Sequence, residues 1–138
     1  QKAGVDQAYY RKLKAGQDVY NEAGVLIDHK TVTTEGTPPN SYAYCSDTAY
    51  HPDIIPLIKG VDTLYHESTF LQEHEHLCQQ TKHSTAVQAA SIAKSAEVRR
   101  LILGHYSTRY EDLSIFHKEA KTVFENSELA QDLKEFSW

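Results

Sequence analysis

Four short polar clusters constrain this chain most: Ser46-Asp47-Thr48, His66-Glu67-Ser68-Thr69, His83-Ser84-Thr85 and His105-Tyr106-Ser107-Thr108-Arg109. Three follow apolar runs directly, after Tyr42 to Cys45, Val61 to Tyr65 and Leu101 to Leu103; the fourth opens an Ala-rich stretch. Apolar runs that stop at such clusters read as buried strands of an αβ sheet, whose carboxyl ends share one crevice. Asp, Glu and three His gathered there are the residues of hydrolytic metal chemistry.

With 138 residues, 40% of them apolar and 24% charged, the chain has the size and composition of one globular domain. No apolar run nears the roughly 18 residues of a membrane span, and the first residues carry no signal-peptide core. A soluble, cytoplasmic protein is expected. Cys45 and Cys78, the two cysteines, form neither a disulfide framework nor a metal knuckle. A net charge of −5 argues against a broad nucleic-acid footprint while leaving room for a local one.

Residues 1–40 read as a lead-in. A helix over Gln7 to Ala15 stops at Gly16, a hairpin pairs residues 18–20 with 25–27, and Thr31 to Thr34 is expected to add a strand. Residues 41–138 carry the site motifs in a strand-and-helix alternation. Strands are expected over 42–46, 61–66 and 99–104, with helices over 51–58, 70–80, 84–96 and 112–124. Ser84 is the expected cap of the Ala-rich helix.

Each cluster has an ordinary reading beside a chemical one. Asp47 either caps a turn or bridges two cations, since one carboxylate offers an oxygen to each. His66 and Glu67 either close a strand or orient a neighbouring catalytic group, with Thr69 in the same supporting loop. His83 at a helix start meets the positive end of the dipole, which disfavours the imidazolium. A proton donor there needs a nearby carboxylate, and Glu67 is the candidate. His105 ends a buried strand, as a zinc ligand does, and Ser107 and Arg109 follow within reach of one oxyanion. His74-Glu75-His76 imitates a metal motif, but helical residues two apart point to different sides and suit a solvated face.

Taken in order, Ser-Asp-Thr, His-Glu-Ser-Thr-Phe, His-Ser-Thr before an Ala-rich helix, and Gly-His-Tyr-Ser-Thr-Arg-Tyr resemble the carboxyl-terminal half of the ribonuclease Z family. That family comprises tRNA 3′-processing endonucleases of the metallo-β-lactamase superfamily. Intervals of 19, 36 and 58 residues from Asp47 to His66, His83 and His105 fit its layout. The resemblance implies half of a four-layer αββα sandwich over residues 1–138, an α/β unit with a mixed sheet and helices on one face. It implies zinc, two ions per complete site, with Asp47 and His105 as ligands and His83 as catalytic acid beside Glu67. Ser107 and Arg109 would hold substrate phosphate, and precursor tRNA would be the substrate. The family's His-x-His-x-Asp-His motif does not occur in these 138 residues. The chain is therefore expected to be inactive alone, to need an amino-terminal half, and to form a homodimer in its absence. Another phosphodiesterase of the superfamily, or a non-catalytic binding subunit, are the alternatives.

Overall fold

A computed structural model describes residues 4–137 and divides the chain into two units, Gln1–Pro39 and Asn40–Trp138. In the first, a 3₁₀ turn at Gln7–Tyr9 runs into α1 (Tyr10–Lys14), with Asp6 capping the turn through the Ala8 amide at 2.8 Å. The expected hairpin follows, as antiparallel β1 (Val19–Tyr20) and β2 (Leu26–Ile27). Residues 31–34 depart from expectation. The segment His29–Val32 is α2, a single helical turn rather than a strand. Asp28 caps it by accepting from the Lys30 amide at 2.9 Å, and the Thr31 and Thr33 hydroxyls donate back to the carbonyls of Asp28 and His29. Thr31, with such a local partner, leaves the extended conformation that β-branching favours, while Thr33 keeps it as the C-cap.

The second unit is built on a parallel sheet in the order β3 (Tyr42–Cys45), β4 (Thr63–Glu67), β5 (Arg100–Gly104) and β6 (Ser127–Leu129). Together with the antiparallel hairpin, this gives the mixed strand content expected of the α/β class. Parallel pairing brings the carboxyl ends of β3, β4 and β5 to one edge, where Cys45 lies opposite His66 and Glu67 opposite Gly104. The short strand β6 was not expected; its neighbours are polar, and it joins through Ala130 N–H donating to Leu103 O at 2.7 Å.

One face of the sheet is covered. Leu64, Leu101 and Leu103 pack with Ala89, Ala90, Ile92 and Ala93 of α4 (Ala86–Ser95) and with Phe116 and Ala120 of α5 (Ser114–Lys121). Burying a large aliphatic side chain stabilises by ~1.5–3 kcal/mol, so these residues anchor the edge that carries the polar clusters. The opposite face bears tyrosines, with Tyr44 stacked on Tyr65 at 4.6 Å between ring centroids.

The helix expected over 51–58 is a 3₁₀ turn at Pro52–Leu57, consistent with Pro56 lacking the amide that a longer helix would use. That over 70–80 is a 3₁₀ turn, Gln72–His74, leading into α3 (Glu75–Thr81). The Ala-rich helix is capped by Thr85, not Ser84. Thr85 Oγ1 accepts from the Gln88 amide at 3.1 Å while Gln88 Oε1 accepts from the Thr85 amide at 3.0 Å, a reciprocal box. Ser84 instead donates to Thr48 O at 2.7 Å, tying the third cluster to the first.

Candidate active site

The edge assembles from backbone outward. Asp47, just past β3, has φ 50°, and His105, just past β5, has φ 57°. Non-glycine residues in the left-handed region are uncommon and strained by about 1–3 kcal/mol each, and such strain concentrates at functional sites. Here it turns both side chains toward each other: His105 Nε2 lies 3.1 Å from Asp47 Oδ1. His83 arrives from the other side, after Lys82 ends α3 in the same left-handed conformation at φ 62°. Its ring centroid is 5.1 Å from that of His105.

Glu67 holds these three elements together. It is fully buried. Its Oε1 accepts from the Thr48 amide at 3.0 Å and lies 2.8 Å from His83 Nδ1; its Oε2 accepts from the Thr69 amide at 3.0 Å and the Thr69 hydroxyl at 2.8 Å. One carboxylate thus fixes the residue after Asp47, the ring of His83 and, through Thr69, the ring of His105. A buried carboxylate without such partners would cost several kcal/mol, so the network stabilises the edge.

The remaining candidates fall into three groups. His66 sits inside β4, fully buried; its Nδ1 meets Glu67 O at 2.7 Å and its Nε2 has no partner among the described residues. Burial holds its pKa below the ordinary imidazole value. The structure thus keeps His66 out of the Asp47–His83–His105 group; the imidazole that Glu67 orients is His83. Ser107 Oγ accepts from Arg109 Nε at 3.3 Å, and the Arg109 guanidinium lies over the Phe70 ring at 5.2 Å. Phe70 in turn meets His83 edge-on at 6.4 Å, so Arg109 stands one ring away from His83. His74 of the decoy motif is taken by the Tyr110 hydroxyl at 2.8 Å.

Three partners escaped sequence reasoning. Thr48 contributes a backbone amide, and no side-chain pattern marks that. Phe70, which supports Arg109, reads as an ordinary core aromatic. Tyr65 explains Gly104, because a Cβ at Gly104 would overlap the Tyr65 ring. The tight approach was legible in the glycine; its partner was not.

Asp47, His83 and His105 offer one oxygen and two nitrogens within 4.8 Å of one another, a donor set suited to a borderline divalent cation such as zinc. His83 Nδ1 is taken up by Glu67, so Asp47 and His105, 3.1 Å apart, are the pair that fits a metal, with the His83 ring beside them. The residues present therefore fit a metal.

Oxygen and imidazole donors converging at the carboxyl ends of parallel strands are the donor types that a divalent cation takes. The chain belongs to the beta-lactamase superfamily domain family, whose model matches residues 15–106. It is 47% identical to the ribonuclease Z of Parabacteroides distasonis over 122 residues, covering 88% of this chain and 40% of that protein. The ribonuclease Z of Porphyromonas gingivalis is 48% identical over 117 residues, covering 85% of this chain and 38% of the relative. The chain thus spans about two-fifths of these relatives' length. Among solved structures it resembles the metallo-beta-lactamase fold protein YhfI from Bacillus subtilis, with TM-score 0.62 and 28% identity over 67% of this chain and 37% of that one. It also resembles a long form RNase Z from yeast, with TM-score 0.58 and 26% identity over 66% of this chain and 12% of that one. The resemblance read from the motifs and the α/β fold expected from it are both borne out.

Proposed function

We propose that this chain is the carboxyl-terminal portion of a ribonuclease Z, and that the complete protein is a zinc-dependent endoribonuclease removing the 3′ trailer from precursor tRNA. The observation that carries this reading is the convergence of Asp47, His83 and His105 around buried Glu67. The names and identities of the relatives point the same way.

Asp47 and His105 would hold the metal, as carboxylate and imidazole donors. Zinc bound there would supply a water of lowered pKa and polarise the phosphate. The chain's own residues do the rest. His83, gripped at Nδ1 by Glu67, carries a proton on its other nitrogen toward the ribose 3′ oxygen. As the water oxygen bonds to phosphorus, the bond from phosphorus to that ribose oxygen breaks and the proton passes to it. The tRNA is left with a 3′-hydroxyl and the trailer with the phosphate. Arg109, over Phe70 and braced by Ser107, presents a planar fork to the phosphate oxygens.

The rest of the molecule follows from the same reading. The sheet face opposite the helices, where Tyr42 is 49% and Tyr44 63% exposed, packs against the amino-terminal half, and in its absence two copies of this chain pair through it. The compartment we infer is the cytoplasm, since neither Cys45 nor Cys78 is in a disulfide. Among the described residues no helix is long and apolar enough to cross a membrane.

The test is cleavage of a precursor tRNA with a 3′ trailer by the full-length protein, beside a small phosphodiester. Trimming beyond the acceptor stem to a 3′-hydroxyl end is expected. Turnover of the small diester with the tRNA left intact would replace this reading with a different phosphodiesterase of the superfamily.

A further inference from the structure

The Thr69 hydroxyl joins two groups that the site uses differently. Thr69 Oγ1 lies 2.8 Å from Glu67 Oε2 and 3.0 Å from His105 Nδ1, and the residue is only 7% exposed. A hydroxyl has one proton to give and lone pairs to accept with. Glu67 already accepts two backbone amides, from Thr48 and Thr69, each at 3.0 Å, so it is the acceptor end of the chain of bonds. Were the Thr69 proton directed to His105 instead, two acceptor oxygens would face each other at 2.8 Å in a buried site, which is costly. The proton therefore belongs on the Glu67 side.

That direction decides the tautomer of His105. With its proton committed, Thr69 Oγ1 accepts from His105, so Nδ1 carries hydrogen and Nε2 keeps its lone pair. Nε2 is the atom 3.1 Å from Asp47 Oδ1. An unprotonated nitrogen facing a carboxylate oxygen repels it unless a cation stands between them. In the metal-free protein the rival arrangement, a proton on Nε2 donated to Asp47, would close the site. Thr69 opposes it.

We propose that Thr69 is a positioning residue which, by accepting from His105 Nδ1 and donating to Glu67, keeps His105 Nε2 open as a cation ligand facing Asp47. The proposal deepens the nuclease reading and rests on it only for what the cation is used for. The sequence pattern marks Thr69 as part of a loop; the direction of its two hydrogen bonds gives it this task.

The test reads the proton directly. In isotope-labelled chain, long-range proton–nitrogen correlation with the His105 ring neutral is expected to find the hydrogen on Nδ1 in the wild type and in Thr69→Ser. In Thr69→Val, which keeps the shape and loses the hydroxyl, it is expected on Nε2. Zinc affinity, from competition with a chromophoric chelator, should fall about 10- to 100-fold in Thr69→Val and be restored in Thr69→Ser, the range usual for partners that orient metal ligands. A wild-type proton on Nε2, or no change of tautomer in Thr69→Val, would overturn the proposal. So would a tautomer change with zinc affinity intact. Because the wild-type reading needs no variant, poor folding of Thr69→Val would not shield the idea. A failure of the nuclease reading looks different: the full-length protein would leave precursor tRNA uncut while the His105 proton stayed on Nδ1.

Discussion

Asp47, His83 and His105 in the second unit and Asp18, Asp28 and His29 in the first each bring carboxylate and imidazole atoms within 4.8 Å of one another. Exposure does not separate them. Side chains of the first group are 67%, 23% and 42% exposed, and those of the second 46%, 53% and 25%. Construction does. His29 turns one nitrogen, Nδ1, to both carboxylates, at 2.8 Å from Asp18 and 3.6 Å from Asp28. Asp18 also accepts the His29 amide at 3.0 Å, and Asp28 caps α2. These acids are spent on local backbone. In the other group each imidazole has its Nδ1 held by a separate partner, Glu67 or Thr69, and the far nitrogen of His105 faces Asp47. A donor set becomes a site when other residues hold its side chains by the atoms that chemistry does not need.

The largest effect expected from this contrast is on turnover. In the full-length protein, His83→Ala should lower kcat by about 10²- to 10⁴-fold while keeping zinc, as loss of a proton donor does. Asp47→Ala should lose zinc as well as rate, and His29→Ala should change neither. Metal content by elemental analysis with single-turnover tRNA cleavage checks all three; zinc lost in His83→Ala and kept in Asp47→Ala would exchange their roles. A smaller effect is on folding. Glu67→Ala leaves the Thr48 and Thr69 amides and the Thr69 hydroxyl without their acceptor, and should cost ~3 kcal/mol in urea unfolding. Asp18→Ala, at the surface, should move the urea midpoint far less. Equal shifts would erase the distinction between the clusters. Arg109→Lys comes next: it keeps the charge and loses the fork, so tRNA cleavage should fall by roughly tenfold, about one charge-assisted hydrogen bond, with little change in Tm.

The difference between the clusters was partly legible in the sequence. Strands β3, β4 and β5 announce themselves by apolar runs, and parallel packing of such runs puts Asp47, Glu67 and His105 on one edge. The bonds that make the edge work were not. Thr48 acts through a backbone amide, Thr69 through the direction of one proton, and Thr85 rather than its neighbour Ser84 caps α4, a choice between adjacent hydroxyls that only geometry makes. Thr31 to Thr34 misled for a related reason: β-branching favours a strand, but Asp28 and two threonine hydroxyls offered the backbone local bonds instead. Both failures lie where short polar side chains compete with the ladder for backbone partners.

The smallest expected effect separates His66 from Asp18 by pH. Burial lowers the pKa of His66 in the folded chain below its ordinary value of 6.5. The unfolded chain therefore takes up a proton there first, and the stability contributed by neutral His66 is full above about pH 6.5 and lost as pH falls toward the depressed folded value. Asp18 works in another window. Hydrogen bonds from the His29 amide and side chain lower its pKa below 3.8, so its contribution is complete above that value and is lost only under more acid conditions. Urea midpoints measured at falling pH should accordingly decline first through a step that His66→Gln removes and Asp18→Asn leaves in place. The second step, at lower pH, should persist in His66→Gln and shrink in Asp18→Asn without vanishing, since hydrogen bonds from Ser41 and Ser114 hold Asp62 and Asp112 below 3.8 as well. If the wild type and His66→Gln decline in parallel below pH 6.5, other histidines carry the first step and His66, whose Nε2 has no partner among the described residues, is not the acid-sensitive point of the second unit.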